Sequence, residues 1–268
     1  MPHRQQHART LGRCRGLIAE VDPMRPSGRI LRQDAMDASY VDLADLTHLE
    51  FDYMRWLRIV LRVARARRVL HVGGGACSLA RALAAEDPGG RQEVCEVDGD
   101  VLAMAREHLG LVRAPGLRVR HVEGRAHVRA QPDASWDAIV IDAFVGARVP
   151  THLVTAEALR DAARVAPLTL INVVDNRSAQ DVRAVAAAAA LAYPSVWSVG
   201  QRVGNTIVGG STGGGPNLSA LATRAAVDPS PARVTPPGQM ARIIASTTPP
   251  RDDSLSAEAG RRFAVAGM

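Results

Sequence analysis

The segment His71–Leu83, HVGGGACSLARAL, reads as a strand that ends in three glycines and opens into a helix. Gly73, Gly74 and Gly75 allow a tight turn and let a ligand approach the backbone with no Cβ in the way. About 20 residues further on, the next apolar run ends in CEVD, at the spacing where a ribose-binding carboxylate is expected. Such a group can accept hydrogen bonds from both hydroxyls of a bound nucleoside. Asp98 reads as the cap of the helix that begins near Gly99, which leaves Glu96 as the better ribose ligand. Glu123 ends the third strand, with Gly124 beside it, where a side chain could meet the edge of an adenine. Asp142 ends the fourth. Carboxylates at successive strand ends face the crevice in which open α/β sheets bind ligands. The chain contains no lysine, so it lacks the glycine-rich loop with a Lys that cradles the phosphates of a nucleoside triphosphate.

Other reactive side chains read more plainly. Cys77 follows the glycine turn at a helix start, where a thiol pKa can fall, but no base accompanies it and it reads as a small packing residue. His71 lies in the first strand beside the turn, as a ligand contact or as a hydrogen-bonded interior histidine. His48 is expected on an exposed helix face. No pair of histidines has helical metal-site spacing near a Glu, so no metal is expected.

These residues need a scaffold of alternating strands and helices. Apolar runs from Arg68 onward, RRVLHVGG, RQEVCEVD, LRVRHVEG, WDAIVIDAF and LTLINVVD, alternate with the helical segments SLARALAAED, VLAMAREHLG and TAEALRDAARV. A further helix from Ala179 to Leu191 and the strands SVWSVG and NTIVGG complete the set. The pattern implies a mostly parallel sheet covered on both faces. Ahead of it, an amphipathic helix is expected from Thr47 to about Ala66, with Leu49, Tyr53, Trp56, Leu57, Val60 and Leu61 on one face. LIAEV and GRILRQ flank a turn and suggest a small β-hairpin module. The organisation is thus a disordered basic arm at 1–16, the hairpin module at 17–46, the nucleoside-binding Rossmann-like domain at 47–253 and a tail at 254–268. The Gly/Pro/Ser/Thr-rich stretch 211–250 is expected to wrap the surface with one short helix.

Composition agrees with one α/β domain plus an appendage. Of 268 residues, 47% are apolar and 22% charged, and no apolar run approaches the roughly 18 residues of a membrane span. The basic opening has no apolar stretch of a secretory signal, and a cytoplasmic protein is expected. Three cysteines without paired spacing read as reduced thiols. The net charge of +6 is carried by scattered arginines without interleaved aromatics, a pattern that does not call for a nucleic-acid partner.

The stretches SYVDLADLTHLEFDYMRWL, VLHVGGGACSLARAL, CEVDGDVLAMA, VEGRAHV and VIDAFVGARVPTHLVTAEAL together resemble spermidine synthase-like proteins, most closely an actinobacterial branch. The resemblance runs from about Gly16 to Asp253. It implies an α/β fold, a seven-stranded methyltransferase-type sheet behind a small N-terminal β-module, and a homodimer. It also implies a co-substrate, S-adenosylmethionine or its decarboxylated form, and a small-molecule amine as acceptor. Glu96 then matches the ribose-binding Glu, Glu123 stands at the adenine-contacting position, and Asp142 matches the first Asp of the catalytic loop. Three positions depart from the family. Ala76 replaces the Asp that holds the donor's amine, Val145 replaces a second catalytic Asp, and Ala38 replaces a Gln. Tyr40 and Tyr53 remain as polar groups to line the substrate pocket.

In aminopropyl transfer, Asp142 would accept the proton of the attacking amine; alternatively it only orders the loop between Ala143 and Pro150. Methyl transfer is the second reading. It needs a partner for the methionine carboxylate, for which Arg125 and the N–H groups of the glycine turn are candidates. The third is a non-catalytic nucleoside binder.

Overall fold

The computed structural model describes residues 8–34, 36–175, 178–213 and 215–255. Residues 1–7 of the expected arm and 256–268 of the tail lie outside these. The arm is corrected in its second half. Thr10–Cys14 forms strand β1, which pairs with β2 (Leu17–Asp22) through a two-residue turn at Arg15 and Gly16. Both turn residues have positive φ, 42° and 84°, the geometry whose twist matches an antiparallel hairpin. β3 (Arg25–Gln33) and β4 (Met36–Asp42) follow, so the hairpin module is a four-stranded antiparallel sheet in sequential order.

Helix α1 (Asp52–Val63) is shorter than its periodicity predicts, but it buries the expected face through Trp56, Leu57, Val60 and Leu61. The main sheet then forms from β5 (Arg68–Val72), β6 (Arg91–Glu96), β7 (Leu117–His121), β8 (Ala138–Ile141) and β9 (Leu168–Asp175). These five are parallel in the order β7-β6-β5-β8-β9. β11 (Gly204–Ser211) inserts antiparallel beside β9, with β10 (Ser195–Gly200) outside it. An eighth strand, β12 (Arg233–Thr235), adds antiparallel to β10 and extends the expected seven. Between strands run α2 (Ser78–Glu86), α3 (Gly99–His108), α4 (Gly124–Arg129), α5 (Ala156–Val165) and α6 (Gln180–Ala189). The stretch 211–250, expected to hold one helix, holds α7 (Leu218–Ala226) and α8 (Pro237–Ile244) besides β12. Buried Leu221 and Met240 explain why these elements stay attached: each gives the sheet a cover that surface wrapping would not.

The core has three parts. Leu57, Leu61, Leu83, Trp197 and Leu221 pack together where α1, α2 and α7 meet the sheet. Leu159, Ala186, Tyr193 and Met240 form a second cluster with α5, α6 and α8. The third joins the N-terminal sheet, through Leu17, Ala19, Leu31 and Val41, to Ala76, Ala80, Leu102 and Leu109. That contact seats the N-terminal sheet against α2 and α3, beside the glycine turn. Among the described residues, no helix is long and apolar enough to cross a membrane.

Candidate functional site

The candidate site residues lie at the ends of β5, β6, β7 and β8, with Asn172 midway along β9. Gly73 has φ 77° and Gly75 φ 50°. A Cβ on Gly73 would stand 2.5 Å from the Asp142 carbonyl oxygen and 2.8 Å from Ala143 Cα. Glycine is therefore what lets the ends of β5 and β8 meet. Gly73→Ala combines a left-handed φ with a backbone clash and is expected to cost about 2–4 kcal/mol of unfolding free energy in denaturant titration.

Every N–H of the turn is engaged. Gly73 N donates to Cys95 O at 2.9 Å and Cys77 N to Gly74 O at 2.6 Å. Gly74 N and Gly75 N both donate to Glu96 Oε2 at 3.1 Å. Ala76 N donates to Ser39 Oγ at 3.0 Å, a contact from the N-terminal sheet. Glu96 Oε1 accepts from Asp98 N at 2.9 Å. Asp98 caps α3 as expected, accepting from Asp100 N and Val101 N.

Glu123 also serves as a cap. Its oxygens accept from Arg125 N at 2.9 Å and Ala126 N at 2.7 Å, and His152 Nε2 lies 3.3 Å from Oε1. Burial opposes its ionisation, but these donors outweigh it and hold the carboxyl below its usual range. Gly124 is buried with its Cα face against Val72.

Asp142 is held from two sides. Asn172 Nδ2, on β9, donates to its Oδ1 at 2.9 Å. The Tyr53 hydroxyl on α1 is also hydrogen-bonded to it. Burial pushes the Asp142 carboxyl up to about 6, with Asn172 and Tyr53 working against it. The loop beyond it is closed by its own backbone, through reciprocal bonds between Val145 and Arg148. The Asp142 side chain is thus tied to α1 and β9 rather than to the loop, and Val145 is largely exposed.

The expectations for Tyr40, Arg125 and His48 are corrected, and the reading of Cys77 stands. Tyr40 does not line a pocket with Asp142: it is buried in the N-terminal sheet, with its hydroxyl donating to Asp22 Oδ2 at 2.9 Å. Strand alternation turns its neighbour Ser39 toward the glycine turn instead. Arg125 is not open to a ligand carboxylate, because Asp252 binds it through both oxygens, at 2.9 and 2.6 Å. Ala76 is buried against Leu17 and Ala19 in the interface with the N-terminal sheet. His48 precedes α1 and pairs with Glu50 at 3.1 Å. His71 is an interior residue bonded to Gln92 at 3.0 Å, and burial lowers its pKa to about 4, so it is neutral. Burial pushes the Cys77 thiol up to about 12, which fits a packing role. Sequence reasoning missed Asn172 and Ser39. The signal for Asn172 was a carboxamide inside an apolar strand; Ser39 had none.

No protein-family model matches the chain. The fold matches the crystal structure of a probable spermidine synthase from Corynebacterium glutamicum with a TM-score of 0.81 and 25% identity, over 92% of this chain and 96% of that one. The chain is spermidine synthase-like. A spermidine synthase in complex with the transition-state analogue AdoDATO matches this spermidine synthase-like chain with a TM-score of 0.61 and 19% identity, over 82% and 79% of the two chains. Human methyltransferase-like protein 13 in complex with SAH matches with 0.51 and 18%, over 61% of this chain and 83% of that one. The two more distant matches bear on the α/β fold alone.

Proposed function

We propose that this protein is a transferase that moves an aminopropyl-type group from a decarboxylated sulfonium nucleoside to an amine. The amine nitrogen attacks the carbon next to the sulfonium, a C–N bond forms as the C–S bond breaks, and methylthioadenosine leaves. The proton of the amine passes to Asp142. The glycine turn, Glu96 and, at the adenine edge, Glu123 and Gly124 hold the nucleoside, and Tyr53 orients Asp142 from α1. Gly73, Gly74 and Gly75 let the turn close against Asp142, Val94 and Ser39, which sets the backbone the nucleoside meets.

The observation that carries this reading over methyl transfer is the engagement of both anchors for a methionine carboxylate. The turn's N–H groups are spent on Glu96, Ser39 and backbone carbonyls, and Arg125 on Asp252. An anionic group brought there would lie beside Glu96 without a partner, which is costly.

Calorimetric titration with the decarboxylated donor, S-adenosylmethionine and methylthioadenosine tests it. The decarboxylated donor is expected to bind about tenfold or more tightly than S-adenosylmethionine, a difference of ~1.4 kcal/mol. With a panel of simple amines it should release methylthioadenosine. Tighter binding of S-adenosylmethionine would point to methyl transfer, and binding without release to a non-catalytic nucleoside binder.

A further inference from the structure

Asn172 stands in β9 with none of its surface exposed, within the strand LTLINVVD. The β8–β9 register pairs Ile141 with Ile171, so Asp142, just past the end of β8, and Asn172, midway along β9, follow as neighbours. Burying a carboxamide that is not fully hydrogen-bonded is unfavourable, and a leucine of similar size would serve the core better. The hydrogen bond that the structure gives this side chain runs from Nδ2 to Asp142 Oδ1 at 2.9 Å, while its own Oδ1 meets no donor among the described residues. The amide is thus poorly explained by packing and well explained by Asp142.

We propose that Asn172 is a positioning residue: with Tyr53, its amide fixes the Asp142 carboxylate so that the oxygen not held by β9 is the one that receives the proton of the incoming amine. This rests on the reading of Asp142 as the base. Among the described residues, Tyr53 on α1 and Asn172 on β9 are the groups that act on this carboxyl, and His71 on neighbouring β5 is spent on Gln92. A donor to a carboxylate favours its charged form. Asn172 therefore offsets part of the burial around Asp142, and its removal leaves that burial less opposed.

The test is Asn172→Leu in the full chain, followed by carboxyl ¹³C NMR titration of Asp142, with the signal assigned by its loss in Asp142→Asn. The midpoint is expected to rise by about one pH unit, the size set by losing one hydrogen bond to a charged group. At pH 4, where the native Asp142 is protonated and this shift costs nothing, the thermal midpoint should hold or rise, because the unpaired amide oxygen is gone. An unchanged titration overturns the proposal, and a lower thermal midpoint with unchanged titration marks Asn172 as a structural amide only. Should the leucine variant not fold, Asn172→Val removes the same donor with a residue suited to strands and is read the same way. No substrate enters this titration, so its failure is separate from a failure of methylthioadenosine release, which bears on the transfer reaction alone.

Discussion

Asp142→Asn is expected to lower turnover by about 10²–10⁴-fold, the usual contribution of a positioned general base, while methylthioadenosine affinity stays within about twofold. The amide keeps the shape of the side chain and one acceptor oxygen, but it cannot take a proton. The same substitution is expected to stabilise the fold at neutral pH. The Asp142 pKa is raised by burial from 3.8 to about 6, so between those values the native state binds more protons than the unfolded chain. Stability then falls as pH rises through that window and levels off above it. Removing the ionisable group removes this loss, worth about 1–3 kcal/mol above pH 6 and nothing below pH 4. The activity of the unaltered protein should correspondingly rise with pH through about 6, as Asp142 becomes the carboxylate. Thermal unfolding at pH 4 and pH 7.5, beside a pH profile of methylthioadenosine release, checks both halves. Retained turnover in Asp142→Asn removes the base role whatever the stability does.

The sheet and the strand ends that carry Glu96, Glu123 and Asp142 were legible in the sequence because period and composition change together there. Apolar runs such as RRVLHVGG, bounded by glycines, read as buried strands. The Asp98 cap was legible because its acceptor works on N–H groups two and three residues on, a purely local interaction. What escaped depends on pairings distant in sequence. β1 was invisible because TLGRC does not alternate, and it becomes a strand only through its register with β2. Tyr40 was misplaced because its side of the sheet is decided by where the N-terminal module docks. The same docking brings Ser39, 37 residues away, to the Ala76 N–H. Arg125 looked free because its partner, Asp252, lies 127 residues further along the chain. Asn172 could have been suspected from its strand, but its link to Asp142 exists only once β8 and β9 are in register.

Glu96→Ala is expected to fail in two separable ways. An ionised carboxylate offers about four acceptor positions, two on each oxygen. Gly74 N and Gly75 N take both on Oε2, and Asp98 N takes one on Oε1. One position on Oε1 is left for a ribose hydroxyl, where the strand-end position alone suggested that both hydroxyls could be bound. Engagement of the second hydroxyl would require the carboxylate to release a backbone N–H, so a bound nucleoside would be coupled to turn geometry through this one side chain. The substitution is therefore expected to weaken methylthioadenosine binding by about 10–150-fold through lost charged hydrogen bonds. It should also lower the unfolding free energy of the ligand-free protein by about 2–4 kcal/mol, as three backbone donors lose their acceptor. Glu96→Gln is not a neutral control, because its NH₂ would confront N–H donors that the carboxylate now satisfies. Titration calorimetry and denaturant unfolding on the alanine variant separate the effects. A loss of stability with unchanged affinity would make Glu96 a staple of the glycine turn and move ribose recognition elsewhere. A loss of affinity with unchanged stability would mean that water replaces the carboxylate at the turn, and that its acceptor capacity is free for the nucleoside.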